Sequence, residues 1–310
     1  MNPKDTAPII NDAPLNPAEP TNSAVNETLE DYTLRYAPHS FRKWTPGVVA
    51  ITALGGIAYL ADFSIGASIG LAYGTTNAVV AILLAAVVIF LTGIPVSYYA
   101  ARYNIDLDLI SRGAGFGYYG TVITSIIFAS FTFIFFALEG AIMAQGLKMG
   151  LGVPLWLGYL LSSVMVIPLV IFGMKALSKL QVWTTPLWLF LMVGPVAYLV
   201  FQNPSMVNDW AAFSGNGDYT GLDISAVMLG AGVCLALIMQ IGEQIDYLRF
   251  MPAKTEENKV SWWIAMLSAG PGWVVLGAIK QITGAFLAFY LMANMLPDNV
   301  ITEPVQQFTS

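Results

Sequence analysis

Long apolar stretches constrain the fold of this chain more than any short motif does. The segment FTFIFFALEGAIMAQGL, residues 131 to 147, is representative, although it carries Glu139 in its middle. A helix needs about 20 apolar residues to cross a bilayer, and several stretches here are longer. Charged residues make up only 10% of the chain, whereas soluble domains contain about 25%. The sequence therefore predicts an all-α, multi-pass integral membrane protein.

Seven membrane spans are predicted, and residues that favour turns separate them. The predicted spans cover about 45–73, 76–100, 118–147, 152–174, 182–201, 224–251 and 260–295. All lysines and arginines except Lys148 and Lys280 lie on one side of the membrane if these spans alternate in direction. Because basic residues concentrate in cytoplasmic loops, the N-terminus is predicted to be cytoplasmic. We expect the protein in a bacterial inner membrane.

Spans one and six share a pattern of glycines and acidic residues. The residues are Gly55, Gly56, Gly66 and Asp62 in span one, and Gly230, Gly232, Gly242 and Glu243 in span six. Glycines often serve close helix packing in membranes, but they also accompany helices that are interrupted beside a cavity. Interruptions at corresponding positions of two repeats are typical of transporters. We predict breaks at Gly55–Gly56 and at Gly242.

The spacing of these two spans predicts a repeat of five helices. The transmembrane domain is then residues 30–296, with a first repeat at about 45–201 and the start of a second at about 224–295. Residues 1–29 have the composition of a disordered tail, and residues 297–310 are predicted to form an external loop. We expect the chain to be the N-terminal part of a longer protein with an incomplete five-plus-five inverted-repeat fold.

Glu139 is the leading candidate for a functional residue. A charge at mid-bilayer costs about 2.5–3.5 kcal/mol, so such a residue faces a cavity, a partner or a proton path. The carboxylate could accept substrate N–H groups, coordinate a cation or carry a proton. The alternative is a protonated glutamate that bonds a neighbouring helix. Asp62 is either a ligand of a sodium site built from backbone carbonyls or an idle acid near the end of span one.

Three blocks of sequence carry a resemblance to a known family. They are EDYTLRYAPHSFRKW (30–44), TGIPVSYYAARYNIDLDLISRGAGFGYYG (92–120) and QIDYLRFMP (244–252). Together they resemble the purine–cytosine permease family, the nucleobase–cation symporters, over roughly residues 28–296. The resemblance implies the twelve-helix fold of leucine-type sodium symporters, of which about seven spans are present here. The chain also resembles permease domains that are fused to sensor kinase modules.

The resemblance also implies a set of binding residues. In the family, substrate lies between spans one, three, six and eight, and span three offers a tryptophan followed four residues later by glutamine. The matching residues here are Phe135 and Glu139, and residues 224–251 contain no tryptophan. Candidate substrate contacts in span six are Gln240, Glu243 and Gln244. The implied sodium site lies between spans one and eight, with Gly55, Ala58 and Asp62 as its candidates in this chain.

These observations predict a cation-coupled symporter for a nucleobase-like or related nitrogen-rich solute. The alternative is a permease-like input domain that senses a ligand for a C-terminal histidine kinase. The single histidine, His39, has no nucleophile or second ligand nearby, and Cys234 is the only cysteine. We therefore predict no catalytic site, no cofactor, no nucleic-acid partner and no metal other than a coupling sodium. The coupling ion is expected to be Na⁺ or H⁺.

Overall fold

The structure is a computed structural model that describes residues 44–294, 296 and 301–308, and the regular structure in these residues is helical. The tail predicted for residues 1–29 lies outside the described residues. The helices are α1 (Pro46–Gly55), α2 (Ala61–Tyr103), α3 (Leu107–Ser111), α4 (Gly117–Leu151), α5 (Leu155–Met165), α6 (Ile167–Gln202), α7 (Pro204–Ala211), α8 (Ile224–Leu235), α9 (Gln240–Leu248), α10 (Lys259–Ala269), α11 (Trp273–Ala293) and α12 (Pro304–Gln307). A π-helical turn, Arg112–Phe116, precedes α4, and a 3-10 turn, Ala236–Met239, joins α8 to α9.

Helices of membrane-spanning length account for most of the described chain. Five are long and apolar enough to cross a bilayer: Ala61–Tyr103, Leu107–Leu151, Ala176–Gln202, Ile224–Leu248 and Trp273–Ala293. Helices α1 and α5 are shorter and also apolar. The prediction of an all-helical membrane protein is confirmed, and the arrangement is consistent with an incomplete helical transporter fold.

Span one is interrupted where its paired glycines predict. Helix α1 begins after Thr45, whose hydroxyl accepts a hydrogen bond from the backbone N–H of Val48 at 3.3 Å. It ends at Gly55, and α2 begins at Ala61. A Cβ atom at Gly55 would lie 2.6 Å from Cβ of Gln181 on α6. The glycine therefore lets span one approach α6 closely at the point where the helix ends.

A sharp turn at Gly74 divides the 43-residue helix α2 into the second half of span one and span two. Gly74 has φ +76°, a backbone conformation that residues with a Cβ atom rarely adopt. Residues 213–216, which follow α7, hold this turn, and we call them the clasp. The N–H of Thr75 donates to the carbonyl of Phe213 at 3.0 Å. A Cβ atom at Gly215 would lie 2.3 Å from the backbone nitrogen of Gly74, so the two backbones touch.

Helices α2 and α11 also make backbone-to-backbone contact. A Cβ atom at Gly66 would lie 1.8 Å from the carbonyl oxygen of Gln281, and one at Gly284 would lie 2.1 Å from that of Phe63. Small residues allow such approaches in membranes, where van der Waals packing drives helix association. The contact aligns α11 with the first turns of α2.

The break predicted at Gly242 in span six was wrong. Span six loses α-helical geometry earlier, at the 3-10 turn Ala236–Met239 between α8 and α9. Gly242 lies inside α9 and is buried. A Cβ atom there would lie 2.5 Å from the ring of Phe128 on α4, so this glycine serves helix packing.

Two connections also differ from the predicted spans. Residues 174–182, predicted to join spans four and five, are helical and belong to α6. No glycine or proline lies between Gly173 and Pro186 to end a helix there. The predicted seventh span is divided at Gly270–Pro271–Gly272, between α10 and α11.

Candidate functional site

The break in span one leaves both backbone N–H groups and backbone carbonyls without helical partners. Glu139 accepts hydrogen bonds from the N–H groups. Its Oε1 accepts from the N–H of Ala61 at 3.0 Å, and its Oε2 accepts from the N–H of Leu60 at 3.3 Å. These N–H groups begin α2 and have no partner within the helix. A carboxylate at a helix N-terminus also interacts favourably with the helix dipole. Glu139 thus joins α4 to span one.

Lys280 of α11 bonds the carbonyl side of the same break. Its Nζ donates to the carbonyls of Ile57 at 2.7 Å and Tyr59 at 3.0 Å. It also lies 2.8 Å from Oδ2 of Asp62, and the two side chains are 5% and 0% exposed. The interruption is therefore held between an anionic and a cationic side chain from two different helices.

Further hydrogen bonds orient the Asp62 carboxylate. Nε2 of Gln281 donates to Oδ1 of Asp62 at 2.9 Å, and the thiol of Cys234 donates to Oε1 of Gln281 at 3.3 Å. The Tyr59 ring lies against the Lys280 ammonium, 3.8 Å from its centroid. Spans one, six and seven meet through these side chains.

A cavity of about 660 Å³ opens beside the break, in the size range of small-molecule sites. Its polar groups come from Glu139 and from Trp188 of α6, whose buried indole N–H has no hydrogen-bond partner among the described residues. Ala58 and Leu60 of the break also line it. The other lining residues are largely apolar: Ile142, Met143, Gly146, Leu147, Leu191, Met192, Pro195, Val305 and Phe308. The cavity is therefore largely apolar, with a few polar groups in its lining.

Comparison with known proteins identifies the family. The family model for permeases of cytosine/purines, uracil, thiamine and allantoin matches residues 36–300. The chain belongs to this permease family. A search of curated proteins and a search of solved structures each gave no match. The permease acts in a membrane on a small-molecule solute, as its spans and its family both indicate.

The permease brings together some of the residues predicted to form its site. Glu139 and Ala58 line the cavity. Phe135 does not line it; its ring packs edge-on against Tyr59, with centroids 6.0 Å apart. Asp62 is paired with Lys280, and Gly55 packs against Gln181. The predicted sodium site is not tested by these contacts and stays a prediction.

The candidates in span six form a separate group. Nε2 of Gln240 donates to Oε2 of Glu243 at 2.6 Å. Gln244 is completely buried, and neither atom of its amide has a partner among the described residues. Phe128, which touches α9 at Gly242, precedes Glu139 by about 16 Å along the axis of α4. The three candidates do not line the cavity at Glu139, although Glu243 is close enough to the break to interact electrostatically with Tyr59.

Three residues of the site were missed from the sequence. Lys280 was noted only as a basic residue in an apolar stretch, although a buried charge indicates a functional site by default. Gln281 follows it directly and carried no separate signal. Trp188 lies in the middle of a predicted span rather than at its end, which distinguishes it from an interfacial anchor.

Proposed function

We propose that the protein is a cation-coupled secondary transporter for a nucleobase-like or related nitrogen-rich solute. The observation that carries the proposal is Glu139, a carboxylate that bonds the break in span one and also lines the cavity. One side chain thus links the solute-sized space to the helix interruption. The fold and the family support transport rather than enzymatic chemistry.

Glu139 retains acceptor capacity for a solute. Each carboxylate oxygen has two lone-pair sites, and the bond from Leu60 or Ala61 occupies one on each. The remaining sites suit the N–H edge of a nucleobase or a ureide. Trp188 also lines the cavity and offers an aromatic face and an indole N–H that has no partner among the described residues. Flat heterocycles that carry both donors and acceptors match this pair.

Coupling by Na⁺ or H⁺ is part of the proposal. Glu139 accepts hydrogen bonds from the backbone at the break in span one. When a solute or a proton binds the carboxylate, these hydrogen bonds change. Binding can therefore be linked to movement of span one. The distribution of basic residues supports a cytoplasmic N-terminus, and the proposed location is a bacterial inner membrane.

The test is uptake by cells that express the full-length protein and lack their own nucleobase carriers. Radiolabelled cytosine, a purine, uracil, thiamine and allantoin are supplied with Na⁺ or with choline, at pH 5 to 8, with and without a protonophore. Accumulation of one of them above the external concentration supports transport. Binding without accumulation would favour the sensory alternative, because a sensor needs no net flux.

Glu139→Gln tests, in the same uptake assay, whether Glu139 contacts the solute. Loss of a charge-assisted hydrogen bond to the solute should weaken its affinity about ten- to a hundred-fold, or about 1.5–3 kcal/mol. Glu256→Gln is the matched control, because Glu256 is exposed and makes only a loose ion pair with Lys259. If Glu139→Gln and Glu256→Gln have the same affinity and pH profile as wild type, Glu139 is a packing residue and the proposed site is wrong.

A further inference from the structure

The buried ammonium of Lys280 has the environment of a bound cation. Its Nζ donates hydrogen bonds to the carbonyls of Ile57 and Tyr59 at 2.7 and 3.0 Å, and it forms an ion pair with Oδ2 of Asp62 at 2.8 Å. The face of the Tyr59 ring covers a further side. The ammonium therefore lies among three oxygens and an aromatic face.

A simple ion pair does not require this arrangement. Asp62 alone would satisfy the charge of Lys280, yet two carbonyls of an interrupted helix converge on the same nitrogen. Such carbonyls, freed where a membrane helix unwinds, are the groups that coordinate small cations in transporters. One carboxylate and two carbonyls form a donor set for a single positive charge, and hard cations prefer oxygen ligands of this kind.

The carboxylate of the site is held independently of the lysine. Gln281 fixes the Asp62 carboxylate by a hydrogen bond at 2.9 Å and is itself bonded by Cys234. The backbone contact of Gly66 with Gln281 sets the distance between α2 and α11 at this level. The Asp62 carboxylate is therefore positioned by contacts that would survive truncation of Lys280.

We propose that the break in span one forms a monovalent cation site with Asp62, and that the tethered ammonium of Lys280 occupies it in place of a free ion. Without the lysine amine, the same oxygens bind a primary ammonium or an alkali metal ion. The inference goes beyond solute transport and does not depend on it. Sodium coupling through Asp62 would require Lys280 to leave.

The test uses the full-length protein in detergent, with Lys280 truncated and its missing atoms supplied in solution. Lys280→Ala removes the equivalent of n-propylammonium. Its melting temperature in choline chloride should fall by roughly 5–10 °C below that of wild type. At equal ionic strength, n-propylammonium or Na⁺ should recover at least half of this loss, and wild type should gain much less. Lys280→Arg keeps the charge and should respond as wild type does.

Asp62→Asn combined with Lys280→Ala shows where the ion binds. Compared with wild type, Lys280→Ala should show a larger rise in melting temperature on addition of the cation and should bind more radiolabelled sodium. The double variant should show neither increase. The proposal is overturned if cations raise the melting temperature of Lys280→Ala no more than that of wild type. It is also overturned if the double variant responds to cations as strongly as Lys280→Ala does.

Poor recovery of Lys280→Ala would still give an answer. Folded yield is then compared after expression and solubilisation in n-propylammonium, Na⁺ or choline. The proposal requires a higher yield in either of the first two. Equal yields in all three salts would show that the lysine is an ordinary structural ion-pair partner.

Discussion

The contact between α2 and α11 can be tested by adding one methyl group at Gly66. In Gly66→Ala the new Cβ would lie 1.8 Å from the carbonyl oxygen of Gln281, whereas ordinary contacts begin near 3.4 Å. The two helices would have to separate by about 1.6 Å at this point, because the obstructing atom is backbone and cannot change rotamer.

The expected cost follows from what such a separation breaks. Overpacking alone costs about 1–3 kcal/mol. The 2.8 Å pair between Lys280 and Asp62 lies at the same level, and stretching it would leave two buried charges poorly compensated. We expect Gly66→Ala to lose about 3 kcal/mol or more, which corresponds to a fall in melting temperature of roughly 6–12 °C.

The measurement is thermal unfolding of the purified full-length protein, with Gly232→Ala as the matched control. No atom lies within 4 Å of a Cβ placed at Gly232, which is helical and exposed. Because alanine has the higher helix propensity by up to about 1 kcal/mol, this control should melt at or slightly above the wild-type temperature. Equal melting temperatures for the two variants would refute the backbone-to-backbone contact.

Further predictions concern topology and the connection between spans two and three. Asn216→Cys in a Cys234→Ala background should react with an impermeant thiol reagent from outside the cell, and labelling only after permeabilisation would reverse the predicted orientation. Asn104→Gly keeps the left-handed conformation but loses two 2.8 Å hydrogen bonds to carbonyls after α9, so it should cost about 1–3 kcal/mol in a denaturation assay. Burial raises the pKa of Asp106, so its carboxylate destabilises the fold as the pH rises through that pKa. Asp106→Asn retains an N-cap residue and should gain stability relative to wild type at pH 8 but not at pH 4; an unchanged difference would contradict this.

The break in span one could be predicted because its cause is local. The pair Gly55–Gly56 lies within an apolar stretch, and both its helix-ending effect and its close packing follow from the absence of side chains. The same reasoning failed at Gly242, because a glycine that admits a neighbouring ring has the same sequence signature as a glycine that ends a helix. Only the position of Phe128 distinguishes the two cases.

The candidate site was predictable only in part. Glu139 stood out because a mid-span carboxylate must have a partner, but the partner could not be read from the sequence. The bonds of Glu139 and Lys280 to the break join residues that are 78 and 223 positions apart. Such pairings depend on how the helices are arranged, which apolar periodicity does not specify. Trp188 reaches the cavity for the same reason.

The clasp at Gly74 has a consequence for biosynthesis. Residues on either side of the clasp bond the same turn: the carbonyl of Trp210 accepts from the hydroxyl of Thr75 across 135 residues, and Asn77 bonds the backbones of Gly221 and Asp223 across 144 and 146. At 5–20 residues per second, about 7–27 seconds of translation separate Thr75 from Trp210. The hairpin of spans one and two therefore enters the bilayer with its turn unfinished, and it must persist there until the segment after span five emerges from the ribosome.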